Sequence, residues 1–127
     1  MRIRPFPHAF SVCKVADYSA VDLSQPFCFT GRTDEEASLV CLTSDVPANT
    51  THREDGWRAF RIEGVLDFSL IGILARICGI MAEKGIGVFA LSTFNTDYIL
   101  VKAERFDQAL AALSDAGYEI IPQESET

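Results

Sequence analysis

A short stretch occurs twice in this chain, as Thr30-Gly31-Arg32-Thr33-Asp34 and as Thr93-Phe94-Asn95-Thr96-Asp97. The matched Thr, Thr and Asp positions lie 63 residues apart (93 − 30, 96 − 33, 97 − 34). Each copy hands one apolar run over to another. Pro26 to Phe29 precedes the first copy and Leu39-Val40 comes after it; Val88 to Ser92 precedes the second and Leu100-Val101 comes after. Self-similarity at one spacing points to two related modules of about that length rather than one irregular domain. The competing explanation is chance, because Thr and Asp are common wherever strands turn. If the repeat is real, the two turns mirror each other, and a pseudo-symmetric pair of Asp-bearing turns suits a small polar ligand.

Two modules of about 60 residues each bury too little surface to be secure separately, so within 127 residues they are expected to share a core. An apolar fraction of 48% against 23% charged residues implies a folded globule, with only Gln123 to Thr127 reading as a polar tail. The net charge of −7 argues against nonspecific binding to nucleic acid or anionic lipid, which leaves small molecules or proteins as partners. Met1 to Val15 mixes Arg2, Arg4, Pro5, Pro7 and His8 and is cut by Lys14, so no targeting segment is expected. The richest apolar region, Gly64 to Ala82, carries Asp67 and Arg76 and reads as a core helix, not a membrane span. Cys13, Cys28, Cys41 and Cys78 form no C-x-x-C pair; no metal site is indicated, and buried free thiols in a cytoplasmic protein are expected.

The second half has a clear periodic pattern. Trp57 to Val65 alternates imperfectly between polar and apolar residues, as a half-buried strand does. Leu70, Ile73, Leu74, Ile77, Ile80 and Met81 then recur at helical spacing, with Asp67 or Ser69 available to cap the start and Gly85 placed for a left-handed C-cap. Gly87 to Thr93 and Thr96 to Ala103 read as a hairpin around Phe94 and Asn95. A second helix is expected from Arg105 to Ala116, ended by Gly117, before a short strand at Tyr118 to Ile121. The order β-α-β-β-α-β is the ferredoxin-like arrangement, an antiparallel sheet with two helices on one face.

The first half reads as a reduced copy. Strands are expected at Ala9 to Val15, Phe27 to Thr30 and Ala37 to Thr43, with room for a turn or two of helix at Ala16 to Gln25. Ser44 to Gly56 is polar and loop-like and is read as the join, giving modules of residues 1–55 and 56–127. The fold class is therefore α+β, two ferredoxin-like modules of which the first is reduced.

Catalytic motifs are absent: the chain has no G-x-S-x-G, no phosphate-binding G-x-x-x-x-G-K-[ST], no G-x-G-x-x-G and no H-E-x-x-H. His8 and His52 lie in loop-like sequence with no nucleophile beside them and read as surface residues. Asp34, Glu35 and Glu36 are consecutive in an extended segment, which points them to opposite faces and favours a solvated edge over a paired-carboxylate site. No catalytic residue and no cofactor is expected.

A positioned turn beside a helix start remains. The N-terminus of the long helix, near Phe68 to Ile73, exposes unpaired amides that suit a carboxylate, and Gly72 leaves room for approach. Asp97 can accept charge-assisted hydrogen bonds from an ammonium group, each worth about 1.5–3 kcal/mol when shielded. That pairing fits an α-amino acid. The alternative is structural: Asp97 serves the turn's own backbone as an Asx contact, and Gly72 permits close helix packing.

Gly64 to Ile121 resembles an ACT domain, the βαββαβ ligand-binding module of amino-acid-regulated enzymes, in the branch of small paired-ACT bacterial proteins and the CASTOR arginine sensors. The likeness is carried by Gly56-Trp57-Arg58, Glu63-Gly64, Gly72-Ile73-Leu74 and the run Ser92 to Val101, with Arg32-Thr33-Asp34-Glu35 in the first module. The resemblance implies ligand contacts at Gly72, Ile73, Thr93, Phe94 and Asp97. It places Leu70 where the family's arginine sensors have an acid for the guanidinium, which disfavours arginine and leaves a less basic or apolar amino acid. It further implies a noncatalytic sensor or regulatory protein, a ligand held at a module or subunit interface, a homodimer or larger assembly and a regulated protein partner. The alternatives are an assembly module with no ligand and, more weakly, a small hydrolase on the same fold.

Overall fold

The computed structural model of the chain describes residues 1–67 and 70–122, and these divide into two units. Phe68, the expected cap Ser69 and the tail Gln123–Thr127 lie outside the described residues. The larger unit joins Met1–Pro7 to the chain from Arg58 onward, and the smaller runs from His8 to Trp57. The division falls two residues beyond the boundary read from sequence, but the first seven residues build into the C-terminal unit.

In the larger unit the order is the end of β5 (Thr50–Ile62), α1 (Ile73–Glu83), β6 (Phe89–Ser92), β7 (Asp97–Lys102), α2 (Phe106–Asp115) and β8 (Glu119–Ile120), the βαββαβ pattern of a ferredoxin-like fold. To this is added β1 (Arg2–Pro5), which sequence analysis did not anticipate. It pairs antiparallel with β5, Ile3 opposite Ile62 and Pro5 opposite Phe60, and parallel with β8. β6 and β7 form the expected hairpin, Phe89 opposite Leu100 and Ser92 opposite Asp97, and β7 also pairs with β5.

Alternation along β1, β5 and β7 puts Ile3, Phe60, Ile62, Ile99 and Val101 on one face, where they meet Ile77 and Met81 of α1 and Phe106, Ala109 and Leu113 of α2. Every one of these is at most 2% exposed. Both helices end in a glycine with positive φ, Gly85 at +67° and Gly117 at +99°. Past each, Ile86 N–H reaches Met81 O at 2.9 Å and Tyr118 N–H reaches Leu113 O at 3.0 Å, closing Schellman caps whose apolar partners lie in the core. The start of α1 differs from expectation. Gly72, at φ +79°, is its N-cap with no side-chain cap bond, so the helix begins at Ile73 and Leu70 precedes it.

One strand pairing sets two guanidinium groups opposite each other, Arg4 on β1 and Arg61 on β5. Like charges so placed repel, and Glu63 resolves this by accepting from Arg4 Nε at 2.9 Å and Arg61 Nε at 3.3 Å. The hydrogen bond from Arg4, aided by Arg61 and opposed by partial burial, holds the Glu63 carboxyl below its ordinary value. Arg61 also lies over the Phe6 ring, 5.2 Å from its centroid, and donates to the Tyr98 hydroxyl at 3.1 Å.

The smaller unit has strand order β3-β4-β2-β5, with β2 at Phe10–Val15, β3 at Phe29–Arg32 and β4 at Ala37–Leu42. The stretch read as a loop, Ser44 to Gly56, instead supplies the first half of β5 from Thr50 onward, paired with β2. Its residues are polar because Thr51 to Gly56 are exposed, and the register slips at two bulges, one beside Gly56 at φ +87°. Residues 16–28 form turns and no helix, closed by Asp17 and Asp22 carboxylates accepting from Ser19 and Ser24 amides. Cys13, Val15, Leu39 and Cys41 form its buried cluster. Burial pushes the Cys41 thiol up to about 12, so it packs as an uncharged group, whereas Cys28 and Cys78 are only half-buried. Among the described residues no helix is long and apolar enough to cross a membrane.

Because Ile3 is fully buried in β1, Ile3→Ala should destabilise the protein by about 2–5 kcal/mol in urea unfolding; a change within error would show that β1 is dispensable to the C-terminal unit. The depressed Glu63 carboxyl gives stability that is fully present above its unfolded value of about 4.3 and is lost as pH falls through the lower folded value. Urea midpoints measured from about pH 6 down to pH 3 should therefore fall less steeply in Glu63→Gln than in the parent.

Candidate functional site

Two hydrogen bonds, one from a side chain and one between backbones, bring the end of β5 and Leu66 against the β6–β7 turn. The buried Thr96 hydroxyl donates to Ile62 O at 2.7 Å, and Leu66 N–H donates to Asn95 O at 2.8 Å. The turn is closed by Thr93 N–H to Thr96 O at 2.9 Å, and Thr93 Oγ1 donates to the same carbonyl at 3.0 Å. A cleft of about 340 Å³ results. One wall carries Leu66, Asp67, Leu70 and the helix start Gly72–Ala75; the other is the turn Ser92–Asp97.

All five residues singled out in the sequence line this one cleft: Gly72, Ile73, Thr93, Phe94 and Asp97. For two of them the structural alternatives raised from sequence are not what the geometry shows. A Cβ at Gly72 would meet nothing within 4 Å, so the glycine does not serve close helix packing; it serves the left-handed turn into α1. Asp97 does not cap its own turn, since its Oδ1 accepts from the Ser92 hydroxyl at 2.7 Å across the hairpin. The amides of Ile73, Leu74 and Ala75 precede the first intrahelical bond, from Arg76 N–H to Gly72 O, and the N-cap has no side chain to cap them. Phe94 stands at the turn tip, 78% exposed.

The ACT domain family matches residues 52–115. This chain belongs to the ACT domain family. Among solved structures, a protein of Agrobacterium tumefaciens aligns with a TM-score of 0.84 at 25% identity, over 98% of this chain and 94% of that one. A Vibrio cholerae protein of unknown function, described as a possible transport protein, aligns at 0.70 and 22% identity over 90% and 88% of the two chains. The ligand-free regulatory subunit of aspartate kinase from Thermus thermophilus aligns at 0.58 and 14% identity over 87% and 93%. The last two likenesses are of fold. Comparison with curated proteins gives no match.

Within this ACT chain the internal repeat recurs in the backbone, in a different register from the one read in the sequence. Phe29 corresponds to Phe89, Ala37 to Asp97 and Thr43 to Ala103, a displacement of 60 residues rather than 63 (89 − 29, 97 − 37, 103 − 43). Thr33 then matches Thr93, and Thr33 N–H closes on Glu36 O at the same 2.9 Å. Asp34 matches Phe94, and Ala37 takes the place of Asp97, so the two turns do not mirror their acids. A cavity of about 350 Å³ does border the first turn, lined by Lys14, Arg32, Asp34 to Ala37 and His52 among others. Residues 16–28 supply no helix start to it. Asp34, Glu35 and Glu36 are exposed, as expected of a solvated edge; His52 is exposed and His8 packs against Phe27 at 5.8 Å.

A further cavity of about 330 Å³ in the ACT unit shares Gly72 and Ile73 and adds Arg76 and Tyr118. The Arg76 guanidinium is engaged, donating to Ala116 O at 3.3 Å and lying 5.5 Å from the Tyr118 ring centroid. Sequence reasoning gave Ser92, Leu66 and Asn95 no role in the site. The latter two act through the main chain, which residue type does not reveal, while Ser92 is a cross-strand partner visible only once the hairpin register is fixed.

Gly72→Ala should lower stability by about 1–2 kcal/mol through its positive φ alone, with no clash to relieve, as read by thermal or urea unfolding. A neutral result would mean that the left-handed turn into α1 is not required.

Proposed function

We propose that this ACT chain is a noncatalytic, amino-acid-binding regulatory protein of the paired, CASTOR-like kind, whose smaller unit is a reduced ACT-like module. The observation that carries this reading is the placement of Asp97 and the uncapped amides of Ile73 to Ala75 on one cleft of about 340 Å³. An α-amino acid needs both: an acceptor for its ammonium and donors for its carboxylate. Asp97 has one oxygen held by Ser92, which fixes the carboxylate's direction and leaves the other oxygen for a ligand. Such a volume is at the small end of small-molecule sites, which suits a single metabolite. Family membership supports regulation over catalysis, as does the fold likeness to an aspartate kinase regulatory subunit.

Leu70, 51% exposed, lines the cleft and its neighbour Ile71 is 90% exposed, and we propose that a second subunit of a homodimer closes the cleft, placing the ligand at a subunit interface. Binding then acts by favouring one packing of subunits over another, which a regulated protein partner reads. The same exposed apolar groups favour a second reading, an assembly surface without a ligand. Light scattering that shows a stable oligomer indifferent to every amino acid would select it.

Amino acids at 100 times their dissociation constant should stabilise the fold by about 2.7 kcal/mol, visible as a raised melting temperature. Asp97→Ala should weaken that binding by about tenfold to a hundredfold in calorimetry, with the unliganded protein still folded. Unchanged affinity in this variant would remove Asp97 from the site.

A further inference from the structure

Taking the cleft as the amino-acid site proposed above, we infer that it selects an apolar side chain, through the wall that Leu66, Leu70, Leu74 and Phe94 present beyond the two polar ends. The polar ends of an α-amino acid are met by Asp97 and by the amides at the start of α1. What is left of the lining for the side chain is the hydrocarbon of Leu66, Leu70, Leu74, Ala75 and Phe94, bordered by Asp67 and the polar turn residues Ser92, Thr93, Asn95 and Thr96.

Exposure supports the assignment. Leu70 is 51% exposed and Phe94 78%, although both are large apolar residues and both line the cleft. Apolar surface of this kind gains from being covered by another apolar group. A basic side chain would instead lay its charge against leucine and phenylalanine, where it loses water without a partner. Among the described residues no lysine, arginine or histidine lines the cleft, so an acidic side chain has no cation to meet there. Asp67 is the one carboxylate besides Asp97 among those lining residues, and it is already engaged in a contact within the protein. Hydroxylated and very small amino acids leave the wall uncovered, and each missing methylene in an apolar pocket weakens binding by about 10–200-fold.

Isothermal calorimetry on the full chain with L-leucine, L-isoleucine, L-methionine, L-alanine, L-serine, L-aspartate, L-lysine and L-arginine separates the possibilities. Leucine, isoleucine or methionine should bind at least about tenfold more tightly than any of the other five. Leu70→Ser and Phe94→Ser, both at exposed positions, should each weaken the apolar ligand about tenfold in protein that circular dichroism shows to be still folded. Apolar binding undiminished in both variants would overturn the assignment of this wall. Tighter binding of lysine, arginine, aspartate or serine, lost in Asp97→Ala, would overturn the apolar selectivity and leave the amino-acid reading standing; if Asp67→Asn removed binding of a basic ligand, Asp67 would be its partner. Binding of none of the eight would end both readings together.

Discussion

The hydroxyl of Thr96 is one of two polar side chains that lie buried among the described residues, and it donates to the carbonyl of Ile62, the last residue of β5. At that point the chain leaves the sheet. An unsatisfied buried carbonyl costs about 1–3 kcal/mol, which makes the threonine more than a decoration of the turn. Its bond fixes the β6–β7 turn against the exit of β5. The bond from Leu66 N–H to Asn95 O then draws the outgoing chain along the same turn. Leu66 is thereby held beside the turn, and the first residues of α1 line the same cleft as Ser92 to Asp97. The cleft is thus a by-product of satisfying backbone groups, and its two walls are as well defined as those hydrogen bonds.

The start of α1 adds a polarity to that geometry. Free amides at a helix N-terminus carry partial positive charge, and Asp97 stands across the cleft from them as a negative one. Arg76, in the first turn of α1, is a cation where the helix dipole disfavours it. It is placed to do something else: its guanidinium donates to Ala116 O, at the C-terminal end of α2, where positive charge is favoured. One arginine therefore stitches the beginning of one helix to the end of the other. This keeps the Gly72 side of the cleft tied to the helical layer that covers the core.

Elements whose burial keeps one clean period were legible in the sequence. Both helices, their glycine caps and the β6–β7 hairpin show one buried stripe each, and Gly85 and Gly117 mark the stops. The start of α1 was less legible, because Leu70 continues the apolar spacing while Gly72 breaks the helix with a φ that spacing does not encode. β1 was missed because it is four residues long and contains two arginines and a proline, and because its burial comes from partners about 60 and 120 residues away. The first half of β5 was missed for the opposite reason. Thr51 to Gly56 are exposed and hence polar, and two bulges interrupt any alternation. The five residues expected at the site came from the family resemblance together with the turn chemistry; their place on one cleft depends on hydrogen bonds to main-chain carbonyls that residue types alone do not show.

The repeat carries a different lesson from the one its residues suggested. Matching Thr-x-x-Thr-Asp by residue type aligns the two copies at 63, whereas the strands and the closing hydrogen bonds align at 60. An odd slip of three residues exchanges the faces of every strand position, so only one register is compatible with a buried face. In the register the backbone adopts, the shared element is the threonine that opens each turn, and the acid at Asp97 has alanine as its counterpart. A turn of this design forms in the smaller unit with no helix start beside it. The Thr-opened turn is therefore a solution to hairpin closure that exists without the cleft. What distinguishes the ACT unit is the acid at Asp97 and the left-handed glycine at Gly72, two features that the hairpin does not need.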